Sequence, residues 1–340
     1  MRKLVMFAGL LLGLQSCNNP VKQEANARPE EALQLDTLRL ALDWTPNVLH
    51  SGIFYAESQN WFREAGIHLI WDTPERDNYT KKPIFRLLEG EVDLAVGPSE
   101  HLFAFAADSA QVHAQAVASI LQSDRSAFVA KKSSGINRPA DISNATYLGY
   151  HTPLEEHILK AMIEYDGAEA KFGTETPDRL QVWDAFRKDS GEVAWVFLHW
   201  EAMQSELAED SLNAFIPNEY GVPYGYSSVI MAPKNLDASQ TKLIRRFLDI
   251  CRKAYRESQD KPDVVLDAIL DHIQHPNFVD HVFIRQAFAD IRPHFGASRW
   301  GVMSDQKWSD YAQWLESRGL NDLKGHESTE FYSNEFLESK

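Results

Sequence analysis

The chain reads as an α/β protein of two lobes joined by a hinge, and three observations predict it. Strand and helix patterns alternate from residue 38 to about 107 and again from 146 to 207, as parallel sheets with crossover helices require. A strand-like segment at 229–232 returns after the second alternation, so the chain crosses between lobes near 125–132 and again near 226–232. Two lobes suit 340 residues, and a composition 44% hydrophobic and 11% aromatic is enough to fill their cores.

The first seventeen residues stand apart. Met1-Arg2-Lys3 is a charged start, 4–14 is an apolar run too short to span a bilayer, and Leu14-Gln15-Ser16-Cys17 closes it. This is a secretory signal whose ending resembles that of bacterial lipoproteins, which implies lipidation of Cys17. An ordinary signal with an incidental cysteine is the alternative. Residues 18–36, polar with Pro20 and Pro29, read as a flexible tether. Lobe 1 is then expected at 37–128 and 229–340, and lobe 2 at 129–228.

In lobe 1 a strand at 38–42 breaks at Asp43-Trp44-Thr45-Pro46-Asn47 and resumes as a helix carrying Ile53, Phe54, Ala56, Trp61 and Phe62. Strands at 66–71 and 92–96 follow, with a short helix at 83–89 between them. Another helix at 101–107 comes after Gly97-Pro98-Ser99-Glu100. Segments 112–121 and 126–130 read as buried strands. Lobe 2 opens with a strand at 146–150, and Leu154, Ile158, Leu159, Met162 and Ile163 recur at helical spacing over 153–165. A helix at 180–187, a strand at 192–198, a helix at 200–207 and an extended stretch at 213–216 complete it. Beyond 237 the pattern is helical (240–258, 262–272, 278–291, 305–318), with a tail from Gly319 that is polar with scattered aromatics.

Composition narrows the function. With 49 acidic against 34 basic residues, the net charge of −15 lacks the basic footprint of a nucleic-acid binder. Cys251 lies in an apolar helical pattern as a packing residue, and a lipidated Cys17 leaves it no disulfide partner. No Cys/His cluster has zinc spacing, and there is no Gly-x-Ser-x-Gly elbow, P-loop, dinucleotide fingerprint or His-Glu-x-x-His. Ser99 and His101 are close in sequence but have no orienting third member. No catalytic residue, metal or cofactor is expected.

Ligands of open α/β sheets collect at the carboxyl ends of strands, and three groups of turns there are chemically rich. The first holds Asp43, Trp44, Asn47 and His50; the second holds Ser99, Glu100 and His101. The third, in lobe 2, holds Glu155, Trp200-Glu201, and Tyr224 and Tyr226. Indole and phenol rings add about 0.5–1.5 kcal/mol per stacked pair beyond area burial. A carboxylate in a dry cleft gains roughly 1.5–3 kcal/mol from an exocyclic amine. A flat, polar heteroaromatic ligand is the expectation. Several of these residues have an architectural alternative. Asp43 reads equally as a helix cap, Asn47 as a turn residue, and Trp44 as a core indole. His50 and His101 read as structural when taken alone, and one of Glu155 and Glu156 as a solvated helix acid. Trp183, Trp195, Trp300, Trp308 and Trp314 read as core.

Leu42-Asp43-Trp44-Thr45-Pro46-Asn47 with His50-Ser51-Gly52 resembles the opening motif of the thiamine-pyrimidine family. Val96-Gly97-Pro98-Ser99-Glu100, Ser134 to Pro139, Trp195-Val196-Phe197 with Trp200-Glu201, and Gly221 to Ser227 fit in order, spanning roughly 38–235. The resemblance implies a periplasmic-binding-protein fold of type II. It also implies capture of a thiamine-pyrimidine precursor, such as a formylated aminomethylpyrimidine, for the permease of an ABC transporter. Carried over by position, Trp44, Asn47, Ser99, Glu100, Trp200, Glu201, Tyr224 and Tyr226 fall on the motifs. Trp44 and one of the tyrosines would stack, and Glu201 would recognise an amine. The family also holds fungal synthases, which carry a pyridoxal-phosphate lysine where Gly97 stands here, and a cysteine-rich iron-binding run that has no counterpart here. Binding without catalysis is therefore implied. A synthase-like enzyme and a binder of a riboflavin precursor or sulfonate are the alternatives. The protein is expected as a monomer, exported and anchored by lipid on the periplasmic face. The resemblance leaves 237–340 uncovered.

Overall fold

Among the described residues, ten strands form two five-stranded sheets of nearly the same design. β1 (Asp36–Ala41), β2 (Ile67–Asp72), β3 (Leu94–Gly97) and β4 (Ala114–Ser119) come first. β5 (Ser126–Lys131), β6 (Thr146–Leu148), β7 (Gly173–Glu175), β8 (Val193–Phe197), β9 (Leu212–Phe215) and β10 (Val229–Pro233) follow. The first sheet has the order β2-β1-β3-β10-β4 and the second β7-β6-β8-β5-β9. In each, three parallel strands are followed by one antiparallel strand and an edge strand, and that antiparallel strand is the one the chain enters after crossing. The computed structural model describes residues 35–107, 111–150, 152–320, 323 and 325–338. The expected signal at 1–17, Cys17 and nearly all of the tether lie outside these.

Two expectations about boundaries change. Asp36, placed at the end of the tether, begins β1, where its amide bonds the Gly66 carbonyl at 2.9 Å. Position 128, placed at the end of lobe 1, falls inside β5, whose full length pairs in the second sheet. The first crossing is therefore 120–125. It runs beside the second, with the Ile120 amide donating to the Ser228 carbonyl at 2.9 Å.

Apolar periodicity places the helices. Ser51–Ser58, Ala238–Asp260, Pro262–His272 and His281–Ile291 bury Phe54, Phe247, Ile269 and Phe288 in one core with Leu40 and Ile230 of the first sheet. The 23-residue helix Ala238–Asp260 starts at a capping box: Asp237 accepts from the amides of Ser239 and Gln240, while Gln240 accepts from the Asp237 amide. Cys251 is fully buried on it, so it packs. A second core runs continuously from Phe103 and Trp308 of lobe 1 through Tyr224 and Trp195 to Tyr147 and Ile158 of lobe 2. The lobes thus share apolar packing behind the cleft.

Two elements depart from expectation. β7 answers to no element of the sequence pattern: it is only three residues long and mostly exposed, so it has no apolar alternation to find. The tail, read as polar with scattered aromatics, buries Phe331, Tyr332, Phe336 and Leu337, and Tyr332 bridges Ala116 alongside β4. It covers the first sheet's edge, which would otherwise present unpaired backbone groups.

Candidate functional site

Between the lobes lies a cavity of about 140 Å³, walled by the turns after β1, β3 and β8 and by segments near Tyr79, Tyr150 and Arg179. β1 ends at Ala41, and the chain breaks at Asp43 to Asn47 because Pro46 lacks an amide hydrogen and Asn47 caps the next turn. That break turns the Trp44 indole into the cavity, edge-on to Tyr79 (ring centroids 5.5 Å apart) and to Tyr150 of the other lobe (5.9 Å). Trp44 is thus a cleft residue and not a core indole.

Asp43 also lines the cavity, but its oxygens are occupied by protein. Oδ1 accepts from His50 Nε2 at 2.9 Å, and Oδ2 accepts from the Ser228 hydroxyl. Burial alone would raise this carboxyl; the hydrogen bond and attraction of His50, with the Ser228 bond, outweigh it and hold it below the usual aspartate value. The network ties the first-lobe turn to the second crossing. His50 is fully buried behind Asp43, so it supports the cleft and does not line it.

β8 ends at Phe197 and winds into a single π turn, Leu198–Ala202, before the helix Met203–Leu207, where one continuous helix was expected. The π turn brings Glu201 back under the strand end, and its carboxylate accepts from the Phe197 amide at 3.0 Å. No described side chain bonds it. Burial pushes it up to about 7, against the pull of backbone amides of Phe197 and of Glu201 itself. Glu100, after β3, also rises to about 7 through burial, with the Glu155 charge adding to it; the Tyr224 hydroxyl, donating at 2.6 Å, and the Lys82 charge oppose the rise. Glu155 starts the helix Pro153–Tyr165, and both of its oxygens are engaged: by Tyr147 and the Tyr150 amide (both 2.7 Å) and by Thr152 (2.6 Å).

Of the residues singled out from sequence, Asp43, Trp44, Glu100, Glu155, Glu201 and Tyr224 meet at the cavity. Five do not, and each has another task. Asn47 caps the turn Val48–His50, its Oδ1 accepting from the Leu49 amide at 2.8 Å. His50 holds Asp43. Ser99 Oγ accepts from the Tyr226 amide at 3.1 Å, clasping the two crossing regions; a Cβ at Gly225 would lie 2.7 Å from that oxygen, so only glycine lets the strands approach so closely. Trp200 packs edge-on against Phe283 of lobe 1 at 4.7 Å, and the Tyr226 hydroxyl accepts from the Ser304 amide at 2.8 Å beside Trp308.

Several lining residues were not anticipated. Trp195, read as core, stacks on Phe128 yet borders the cavity, with its buried Nε1 unbonded. Tyr79, Lys82, Tyr150 and Arg179 also line it. Arg179 joins the lobes, donating to the Tyr150 carbonyl at 2.9 Å and the Tyr79 carbonyl at 3.0 Å, with its guanidinium 5.7 Å from the Tyr79 ring centre. His101 borders the cavity with Nδ1 buried and unbonded, and burial pushes it down to about 3, so it is a neutral acceptor or donor. A Cβ at Gly97 would meet Met231 Cε at 2.9 Å and His101 Nδ1 at 3.2 Å. A lysine there, as in the synthases, would have to displace both. Among the described residues no Cys/His/Asp/Glu group is arranged to hold a metal, and no helix is long and apolar enough to cross a membrane.

A family model described as NMT1/THI5 like matches residues 47–264, nearly two thirds of the chain. The formylaminopyrimidine-binding protein of Halalkalibacterium halodurans is 23% identical over 327 residues, covering 93% of each chain. The alkanesulfonate-binding protein SsuA of Xanthomonas axonopodis pv. citri superposes with a TM-score of 0.66 at 11% identity, over 87% of this chain and 98% of its own. The CA3427 gene product of Candida albicans, with the generic periplasmic binding protein fold, gives 0.63 at 12%, over 88% and 97%. These likenesses support a solute-binding role as the coarse function. The chain has the periplasmic-binding-protein fold and belongs to the NMT1/THI5-like family.

Proposed function

We propose that the chain captures a thiamine-pyrimidine precursor, of the formylaminopyrimidine kind, between its lobes and delivers it to the permease of an ABC transporter. The observation that carries this reading is the cavity itself. At about 140 Å³ it is close to the ~150 Å³ that holds one benzene ring, so a single six-membered ring fits with its substituents reaching toward the cleft mouth. Its walls suit an aminopyrimidine. Trp44, Tyr79 and Tyr150 offer aromatic faces, and Glu100 and Glu201 offer carboxylate oxygens to exocyclic amines. A sulfonate has no N–H to donate and would leave both acids without a ligand partner. The name of the Halalkalibacterium relative points the same way.

Ligand contacting Trp44 of one lobe and Glu201 of the other favours the closed arrangement, which the permease reads. The lipoprotein-like ending at Cys17 supports export and anchoring by lipid, with the body held as a monomer beside its permease. Thermal-shift screening against thiamine precursors, thiamine, flavin precursors and sulfonates tests the ligand class. A pyrimidine at ~100 times its Kd should add about 2.7 kcal/mol of stability. Stabilisation by a sulfonate or flavin precursor, with none by any pyrimidine, would overturn the reading.

A further inference from the structure

Among the described residues, the charged groups around the cavity are engaged by protein, with one exception. Asp43 is held by His50 and Ser228, Glu155 by Tyr147, Thr152 and an amide, and Glu100 by Tyr224. Glu201 is held by a backbone amide and Arg179 by two carbonyls. Lys82 also lines the cavity, half-buried just ahead of the helix Pro83–Leu88, and its ammonium forms no hydrogen bond or ion pair with any described residue. A partly desolvated ammonium without a partner is costly, and a ligand atom that accepts a hydrogen bond lowers that cost.

The surroundings of Lys82 say what kind of ligand atom that is. Burial pulls this amine below the ordinary lysine value and Arg179 adds to the fall, against the attraction of Glu100 and Glu155. Lys82 in turn acts on Glu100, whereas Glu201 responds only to burial and to backbone amides. Lys82 enters the cavity from lobe 1, ahead of the helix Pro83–Leu88, and Glu201 enters it from lobe 2, in the turn after β8. A ring with an amine for Glu201 and an uncharged acceptor for Lys82 matches both. A ring carrying a free aminomethyl group does not, because that group is an ammonium at neutral pH: it gives Lys82 no acceptor and adds a like charge beside it, even with Glu100 and Glu155 near.

We propose that Lys82 is a specificity-determining residue that donates to an acyl oxygen on the ligand, so that the site selects a formylated aminomethylpyrimidine over the free amine. This rests on the pyrimidine reading above. Formylation serves the site twice, since it removes the ammonium charge and supplies the carbonyl acceptor.

Calorimetric titration of both compounds into wild type, Lys82→Met, Lys82→Gln and Lys82→Arg tests it. Wild type should prefer the formylated compound at least tenfold. Met and Gln should shrink that preference at least fivefold, mainly by weakening the formylated ligand, while Arg, still a donor and a cation, should retain most of it. Unchanged melting temperatures in the unliganded variants would show that the fold is intact, and Gln serves if Met perturbs it. A wild-type preference that survives both Met and Gln overturns the proposal, as does wild-type binding of both pyrimidines with equal affinity. If wild type binds neither, the pyrimidine reading fails and takes this inference with it.

Discussion

Asp43 and Glu201 occupy matching places in the two lobes, each in the first turn after a strand and each buried, at 6% and 4% exposure, yet they are held in opposite ways. Asp43 is gripped by two side chains, His50 and Ser228, and stays below the ordinary carboxylate range. Glu201 has only backbone amides and rises to about 7. An acid satisfied by protein is part of the scaffold; an acid buried without a side-chain partner is available to a ligand. The first-lobe turn therefore contributes its indole to the cleft and keeps its acid for itself, and the second-lobe turn does the reverse, offering Glu201 while Trp200 packs away against Phe283.

The largest effect expected from this contrast is on stability. Asp43→Ala leaves His50 and Ser228 buried without their partner and should cost about 3–5 kcal/mol in denaturant unfolding. If it instead unfolds like wild type and only loses ligand, the scaffold role is wrong. The second effect is on pH dependence. The Glu201 carboxyl titrates near 7 when folded against 4.5 unfolded, so the folded state holds its proton more tightly and stability falls as pH rises through that window. Glu201→Gln should remove this loss, gaining about 1–3 kcal/mol on wild type between pH 5 and 7.5. Asp43 behaves oppositely: its contribution is complete above about 3.8 and fades as pH falls below that value. Identical pH profiles for wild type and Glu201→Gln would erase the distinction. The smallest effect is at Arg179, whose two donors reach carbonyls of both lobes. Lysine cannot reproduce that fork, so Arg179→Lys should speed ligand release a few-fold in stopped-flow measurements, with less than about 1 kcal/mol change in stability. An unaltered release rate would remove Arg179 from the closure of the cleft.

The contrast also marks what could be read in the sequence. The alternation of strands and helices exposes the two-lobe design, and the strand-end rule finds the turns holding Trp44, Glu100 and Glu201. It locates a turn without saying which way each neighbour points, so Asn47, Ser99, Trp200 and Tyr226 share the right turns and serve the scaffold. Glu201 reaches the cleft through a π turn that no local pattern in Leu198 to Ala202 announces. Tyr79, Lys82 and Arg179 lie beyond the rule altogether. Tyr79 sits in a left-handed conformation (φ 57°) on the loop before Lys82, and Arg179 starts a 3₁₀ turn after the three-residue β7. They meet only because the lobes face each other. The tail hid its role for a related reason: Phe331, Tyr332 and Phe336 have no regular spacing, and their partners lie elsewhere in the chain, with Phe103 packing on Phe331, Trp308 on Tyr332 and Arg245 over Phe336.

Calorimetric titration of a formylated aminomethylpyrimidine into wild type and Glu201→Gln tests the central claim most directly. One ligand should bind per chain, and the substitution should weaken it at least tenfold, about 1.4 kcal/mol, with the unliganded melting temperature at pH 7 unchanged or slightly raised. Equal affinity in the two proteins, or a collapse of the unliganded fold in Glu201→Gln, would contradict it.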